Sequence, residues 1–256
     1  MASKQIVPHA KFVATHSGIA MVVLFFVILP ICLTLISSVL SNPRPSGFGQ
    51  DPNALLQLAA TSLGVSLTAS AIALLLAVTA SSMTLGSIVF HSAYRIWLIV
   101  MLFTNPIFLV LGFSTLLSHT TPIIAVITAT SYVVLPLGGL IVQSGFNQYP
   151  YSELYAARAL GAGIPTIVFS NILPRVQGQI QLALLLMTVY AIGFFLLPTY
   201  VGFGWVVTLG TAINTAANRV GDWEAAQQLA TITLLVQCIL IGIWWLIHRI
   251  YSRVSP

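Results

Sequence analysis

The chain has 256 residues, of which 58% are hydrophobic and only 5% charged, and its mean hydropathy is +1.00. Such a composition excludes a soluble globular domain. The nine Lys and Arg that give a formal charge of +5 are scattered rather than clustered, which argues against a nucleic-acid surface.

Residues 1–17 (MASKQIVPHAKFVATHS) read as a polar tail, and the apolar run after them is too long for a signal-peptide core and lacks a small-residue cleavage site. A spanning helix needs about 20 mostly apolar residues. Gly18–Ser37 supplies the first and Leu58–Ser81 the second. The charge-free stretch from Arg95 to Glu153 holds two more, at 95–117 and 122–145, divided near Ser118–Pro122. A fifth is expected at 176–201 and a sixth at 225–248, with 249–256 as a basic tail. Cys32 and Cys238 fall inside apolar runs and are expected to be buried, inert thiols. His9, His16, His91 and His119 fall near expected ends or loops and are assigned no chemistry. Trp244, Trp245 and Tyr251 form an interfacial belt beside the basic tail.

Charge distribution tests this count independently. With both termini in the cytoplasm, Lys4, Lys11, Arg95, Arg158, Arg175, Arg249 and Arg253 fall inside, and only Arg44 and Arg219 outside, as the positive-inside rule requires. The expected fold is an all-α membrane protein of six transmembrane helices, spanning 18–248.

Between the fourth and fifth spans, residues 146–175 carry Glu153, Arg158 and Arg175 together with Pro150, Pro165 and Pro174. Pro150 and Ser152 mark a helix start, Ser152 as N-cap with Glu153 in the first turn. Gly161 suits a left-handed stop, and Gly163 with Pro165 forbids simple continuation. A helix of about two turns near 152–161 therefore lies across the cytoplasmic face, followed by a turn and a second helix returning to the membrane.

Ala156-Ala157, Gly161, and then Leu173-Pro174, with 13 positions from Gly161 to Pro174, resemble the EAA loop of type I ABC importer permeases. Tyr155 stands where that loop usually has glutamate, and Ile172 lies one position late. Phe103–Leu117, Tyr132–Ile141, Phe194–Gly204 and the tail from Asp222 are similar to segments of the polyamine and ferric-iron branch. The resemblance implies a permease subunit of the bacterial inner membrane, with the 152–161 helix as a coupling helix docked on a cytoplasmic ATPase dimer. Ser152, Glu153, Tyr155, Ala156, Ala157, Arg158, Gly161, Leu173 and Pro174 would form the docking segment. It also implies a second, similar but different permease chain and a periplasmic or extracellular solute-binding protein. A small polar solute would be carried, polyamine being the first expectation by resemblance alone.

This chain is expected to bind no ATP or Mg²⁺ of its own. Its only lysines are Lys4 and Lys11, neither placed to complete a phosphate-binding P-loop, so both would belong to the partner ATPase. A six-span intramembrane protease is the rival from another class, but Gly112-Phe113-Ser114-Thr115 lacks the second glycine such enzymes use. Transferases need paired acids to hold a metal on diphosphate. Here Asp51 stands alone, Glu153 is in the loop, and Asp222 with Glu224 fits a solvated rim or docking point better than a metal site. An ion-coupled transporter commonly places an ionisable residue within a span, and the central portions of these six have none.

Candidates for the translocation path follow from polar periodicity. At about 100° per residue, Gln177, Gln181 and Thr188 share one side of the fifth span, either lining a watery path or bonding a neighbouring helix. Asn105 before Pro106, together with Thr128, Ser131 and Tyr132, are further candidates, and the rings of Tyr132 and Tyr190 are possible cation contacts.

Overall fold

The computed structural model describes residues 52–85 and 87–254. The expected first span, the tail at 1–17, and Arg44 and Asp51 lie outside the described residues. Helix α1 (Pro52–Met83) is followed by α2 (Ile88–Phe103), α3 (Pro106–Leu116) and α4 (Pro122–Phe146). Next come α5 (Tyr151–Ala159), α6 (Ile164–Arg175) and α7 (Gln177–Ile192). Short helices α8 (Leu196–Tyr200) and α9 (Leu209–Asn214) precede α10 (Trp223–Val254). No strand occurs among the described residues.

Among the described residues, three helices are long and apolar enough to cross a bilayer: Asn53–Met83, Pro122–Phe146 and Trp223–Leu246. Two further pairs qualify if each bent pair is one span, α2 with α3 at 95° and α6 with α7 at 77°. The straight spans expected at 95–117 and 176–201 are therefore corrected. At the first, Pro106 provides no N–H to continue the ladder, and Asn105 Oδ1 accepts from Ile107 N at 3.0 Å to start a new helix. At the second, α7 ends at Ile192 before Gly193. Its 16 residues cover about 24 Å, less than the bilayer core of about 30 Å. Helix α10 instead runs past the expected boundary at 248, to Val254.

Helices α1, α4 and α7 form the core. Along α1, Ser62, Ser66, Ala69, Ser70, Ala73 and Ala77 are all buried, a small-residue stripe that lets backbones approach closely. Glycines serve the same purpose on α4: a Cβ at Gly138 would collide with Met187 Sδ of α7, and one at Gly145 would lie 3.2 Å from Val176 Cβ. Cys238, expected to be buried, is exposed on α10, among exposed Leu235, Ile239 and Ile241. An apolar run here faces outward, as a lipid-facing helix does, rather than into the protein.

A second packing centre joins α3, α4 and α8 through Val110, Ala125, Ala129, Leu197 and Val201. The chain from 201 to 209 returns to α1, where buried Ser62 Oγ accepts from Leu209 N at 2.7 Å and donates to Leu58 O at 2.7 Å. A single hydroxyl thus satisfies a buried N–H at the start of α9, a group that would cost about 1–3 kcal/mol if left unpaired.

Candidate functional site

Helix α5 lies between two breaks that its sequence explains. Pro150 is its N-cap, with φ −65° and ψ 126°. Ser152 is therefore one residue inside the first turn, which corrects its assignment as the cap: the proline ring already fixes the entry geometry. At the other end, Gly161 has φ +83°. Gly161 N donates to Arg158 O at 2.9 Å and Ala162 N to Ala157 O at 3.0 Å. Those paired bonds make a Schellman stop, which requires the left-handed residue that glycine supplies without strain.

The helix has one anchored face and one open face. Leu154 is only 1% exposed and belongs to the main core cluster with Tyr149, Phe146, Ile167, Ile172, Val176 and Met187. Ala157 and Leu173 pack against that cluster at its edge. Ser152, Glu153, Tyr155, Ala156, Arg158 and Gly161 are exposed, as is Pro174 on α6. Leu160, 90% exposed, and Phe169 on α6 are large apolar side chains without cover among the described residues. An added Cβ at Gly161 would meet nothing within 4 Å. The result is an exposed surface of small, apolar and a few charged side chains, tied through Leu154 and Ile172 to the α4 and α7 packing centre.

Glu153 has a partner of its own. Its Oε2 accepts from Arg175 Nη1 at 2.8 Å, and the Arg175 guanidinium lies 5.4 Å from the centre of the Tyr149 ring. The pair ties α5 to the end of α6. Both side chains are about half exposed, so the contact is worth at most about 1 kcal/mol and serves mainly to orient. Continuation through α6 includes a π-helical turn, Val168–Ile172, of the kind that often occurs at functional sites.

The expected path residues do not converge. Thr188 is buried and its hydroxyl donates to Leu184 O at 2.8 Å within its own helix. Gln177 and Gln181 are half-buried along α7. Asn105 is exposed and acts as the cap of α3. Tyr132 stacks edge-on with Phe113 at 5.2 Å and lines a groove of about 700 Å³ with Phe108, Gly112 and Leu116. Tyr190 instead lines a separate recess with Met101, Pro106 and Leu137 and lies 5.9 Å from Phe194.

Two amides, one buried and one half-buried, carry contacts that periodicity did not single out. Gln143, buried in α4, donates to His91 O at 3.0 Å. Gln237 of α10 donates to Val189 O of α7 at 3.0 Å. For Gln143, the one Gln of α4, an amide within an apolar run is the available signal, since a buried amide needs partners. Helix α10 also carries Gln227 and Gln228, so Gln237 does not stand out in the same way.

No family model and no curated protein matches the chain. Among solved structures, its fold is similar to a chain in the crystal structure of a bacterial ABC transporter involved in the import of the acidic polysaccharide alginate. The TM-score is 0.62 at 14% identity, with 96% of each chain covered. At that identity the likeness is one of fold.

Proposed function

We propose that this chain is a permease subunit of an ATP-driven importer of the bacterial inner membrane, forming half of a translocation path for a small polar solute. The reading starts from a fold shared over nearly its whole length with a chain of an ABC importer. The observation that carries it is α5: a short helix with a small, exposed face whose opposite side is locked into the packing centre of two candidate spans. A force applied to such a helix moves the spans, because packed interiors transmit displacement rather than absorb it. In this reading α5 is the coupling helix, and 146–175 is cytoplasmic. In this reading α2 with α3 is one bent span and α7 a short one, so with α1, α4 and α10 the described residues contribute five, Gly18–Ser37 is the sixth, and both termini face the cytoplasm.

ATP and Mg²⁺ belong to a dimeric ATPase partner, the second half of the path to another permease chain, and delivery of solute to an extracytoplasmic binding protein. Tyr155 replaces the acidic residue of the EAA pattern, and pairing with Arg175 removes Glu153 as its free substitute. Docking therefore relies on shape and apolar contact through Tyr155, Ala156, Leu160 and Gly161. The acidic polysaccharide of the structural neighbour is not carried over at this identity, and polyamine remains an expectation from sequence resemblance.

A photoreactive phenylalanine analogue in place of Leu160 tests the reading in native membranes. It should cross-link to a nucleotide-binding subunit, with a yield that changes when a non-hydrolysable ATP analogue is added. Cross-linking only to lipid, or to a protein with no nucleotide site, would contradict it.

A further inference from the structure

A cleft of about 550 Å³ lies among α3, α8, α9 and the chain that follows α9. Its polar lining is Ser114, Thr199, Tyr200, Thr211, Thr215 and Arg219. Three of these hydroxyls already spend their protons: Ser114 donates to Leu111 O at 2.9 Å, Thr199 to Phe195 O at 2.7 Å and Thr211 to Thr208 O at 2.8 Å. Arg219, Tyr200 and Thr215 are what a ligand would meet.

Arg219 dominates that group. It lies one residue before the end of the π-helical turn Thr215–Val220, which Gly221 closes with φ 75°. The ion pair found among the described residues joins Glu153 and Arg175, not Arg219. Asp222, three positions on, accepts from Ala225 N at 2.9 Å at the start of α10. A guanidinium offers five donors and no acceptor, in a fork that matches two oxygens of a carboxylate or phosphoryl group. Another part of the lining carries strain at one residue: Phe203 has φ 49°, beside Gly204 at φ 78°, in a turn closed by Trp205 N to Gly202 O at 2.9 Å. A bulky residue in the left-handed region is costly and tends to persist where it shapes a site.

We propose that this cleft binds an oxyanionic group of the transported solute, a carboxylate or a phosphoryl group, held in the Arg219 fork beside the Tyr200 and Thr215 hydroxyls. The proposal rests on the importer reading and narrows its solute, turning it away from polyamines, which Arg219 would repel. A phospholipid headgroup has the same chemistry, and a purely structural Arg219, complementing the carbonyl end of its own helical turn, would bind neither.

The test uses the full chain with the subunits that accompany it, in phosphatidylcholine nanodiscs at fixed ionic strength. Intrinsic fluorescence, reporting through exposed Trp205 beside the cleft, is followed while inorganic phosphate or succinate is added in exchange for chloride. A saturable response is expected with at least one of the two. Arg219→Gln should weaken it about tenfold or more, and Arg219→Lys should recover part of the loss, as a point charge without the fork. Arg95→Gln, removing the same charge from α2, should leave it unchanged. A wild type without a saturable response, or an equal response in Arg219→Gln, overturns the proposal. A response that requires phosphatidylglycerol in the discs assigns the cleft to lipid and overturns it as well. Loss of anion binding with an ATPase still attached defeats the cleft alone, whereas anion binding by a chain with no ATPase partner defeats the importer reading instead.

Discussion

Gly161→Asp is expected to insert and fold like the wild type but to lose ATP-driven uptake by about tenfold or more, because an unpaired carboxylate would be buried in the docked surface. Two local facts separate folding from coupling here. A Cβ at Gly161 meets nothing within 4 Å, so no clash arises within the chain. The residue sits at φ +83°, where losing glycine costs only roughly 1 kcal/mol, too little to unfold a helix anchored by Leu154. Membrane levels of the variant, its thermal midpoint and its uptake rate, measured side by side, decide the matter. Wild-type uptake would remove α5 from the coupling role, while a variant absent from the membrane would mean that the Schellman stop is a folding determinant.

Gly202→Ala is expected to have the largest effect on stability. Its Cβ would lie 2.5 Å from Pro198 O and 2.8 Å from Val126 Cγ2. The first is backbone of α8, where Val201 N and Gly202 N both donate to the neighbouring Leu197 O at 2.8 and 3.2 Å and hold the turn tight, so the segment after α8 must move off α4. Overpacking of this kind costs roughly 1–3 kcal/mol, which lowers the thermal midpoint by about 2–10 °C in a chain of this size. Gly64→Ala is the matched control, since its Cβ meets nothing within 4 Å and it lies inside α1. There alanine should be neutral or stabilising by up to about 1 kcal/mol. Equal midpoints for the two variants would contradict the close contact of the α8 segment with α4.

Where the sequence was informative, a single physical signal acted alone. Helix α4 begins at Pro122, as expected, and ends one residue beyond the expected 145, because an apolar run is bounded by a proline at N1 and by polar Asn147 and Gln148. The helix and turn over 151–165 were legible from local backbone signals too, since Pro150 and Pro165 fix φ and Gly161 admits the left-handed stop. Hydropathy failed where composition and backbone geometry part company. Residues on both sides of Asn105–Pro106 are equally apolar, so hydropathy alone does not announce the 95° bend that the Asn-Pro pair makes there. The fifth span looked continuous through Gly193 because its apolar character carries on into α8.

The cleft was beyond sequence reasoning altogether. Arg219 lies more than a hundred positions from Ser114 in the chain, and only the tertiary fold brings them to one cavity. Glu153 shows a different limit: its position invited a role at the docking surface, but its partner, Arg175, lies 22 residues away and is reached only because α6 folds back. Polar periodicity identified one side of α7, yet it cannot tell a watery face from one where Thr188 satisfies its own helix.

The central claim is that this chain is moved by an ATPase it does not contain. Gentle solubilisation from the native membrane, followed by mass spectrometry of whatever co-purifies, tests it most directly. The account predicts a nucleotide-binding subunit in the complex, together with a second membrane chain, and loss of the nucleotide-binding subunit from the Gly161→Asp complex. A chain that emerges alone and monodisperse, with no nucleotide-binding partner under any mild detergent, would contradict the importer reading.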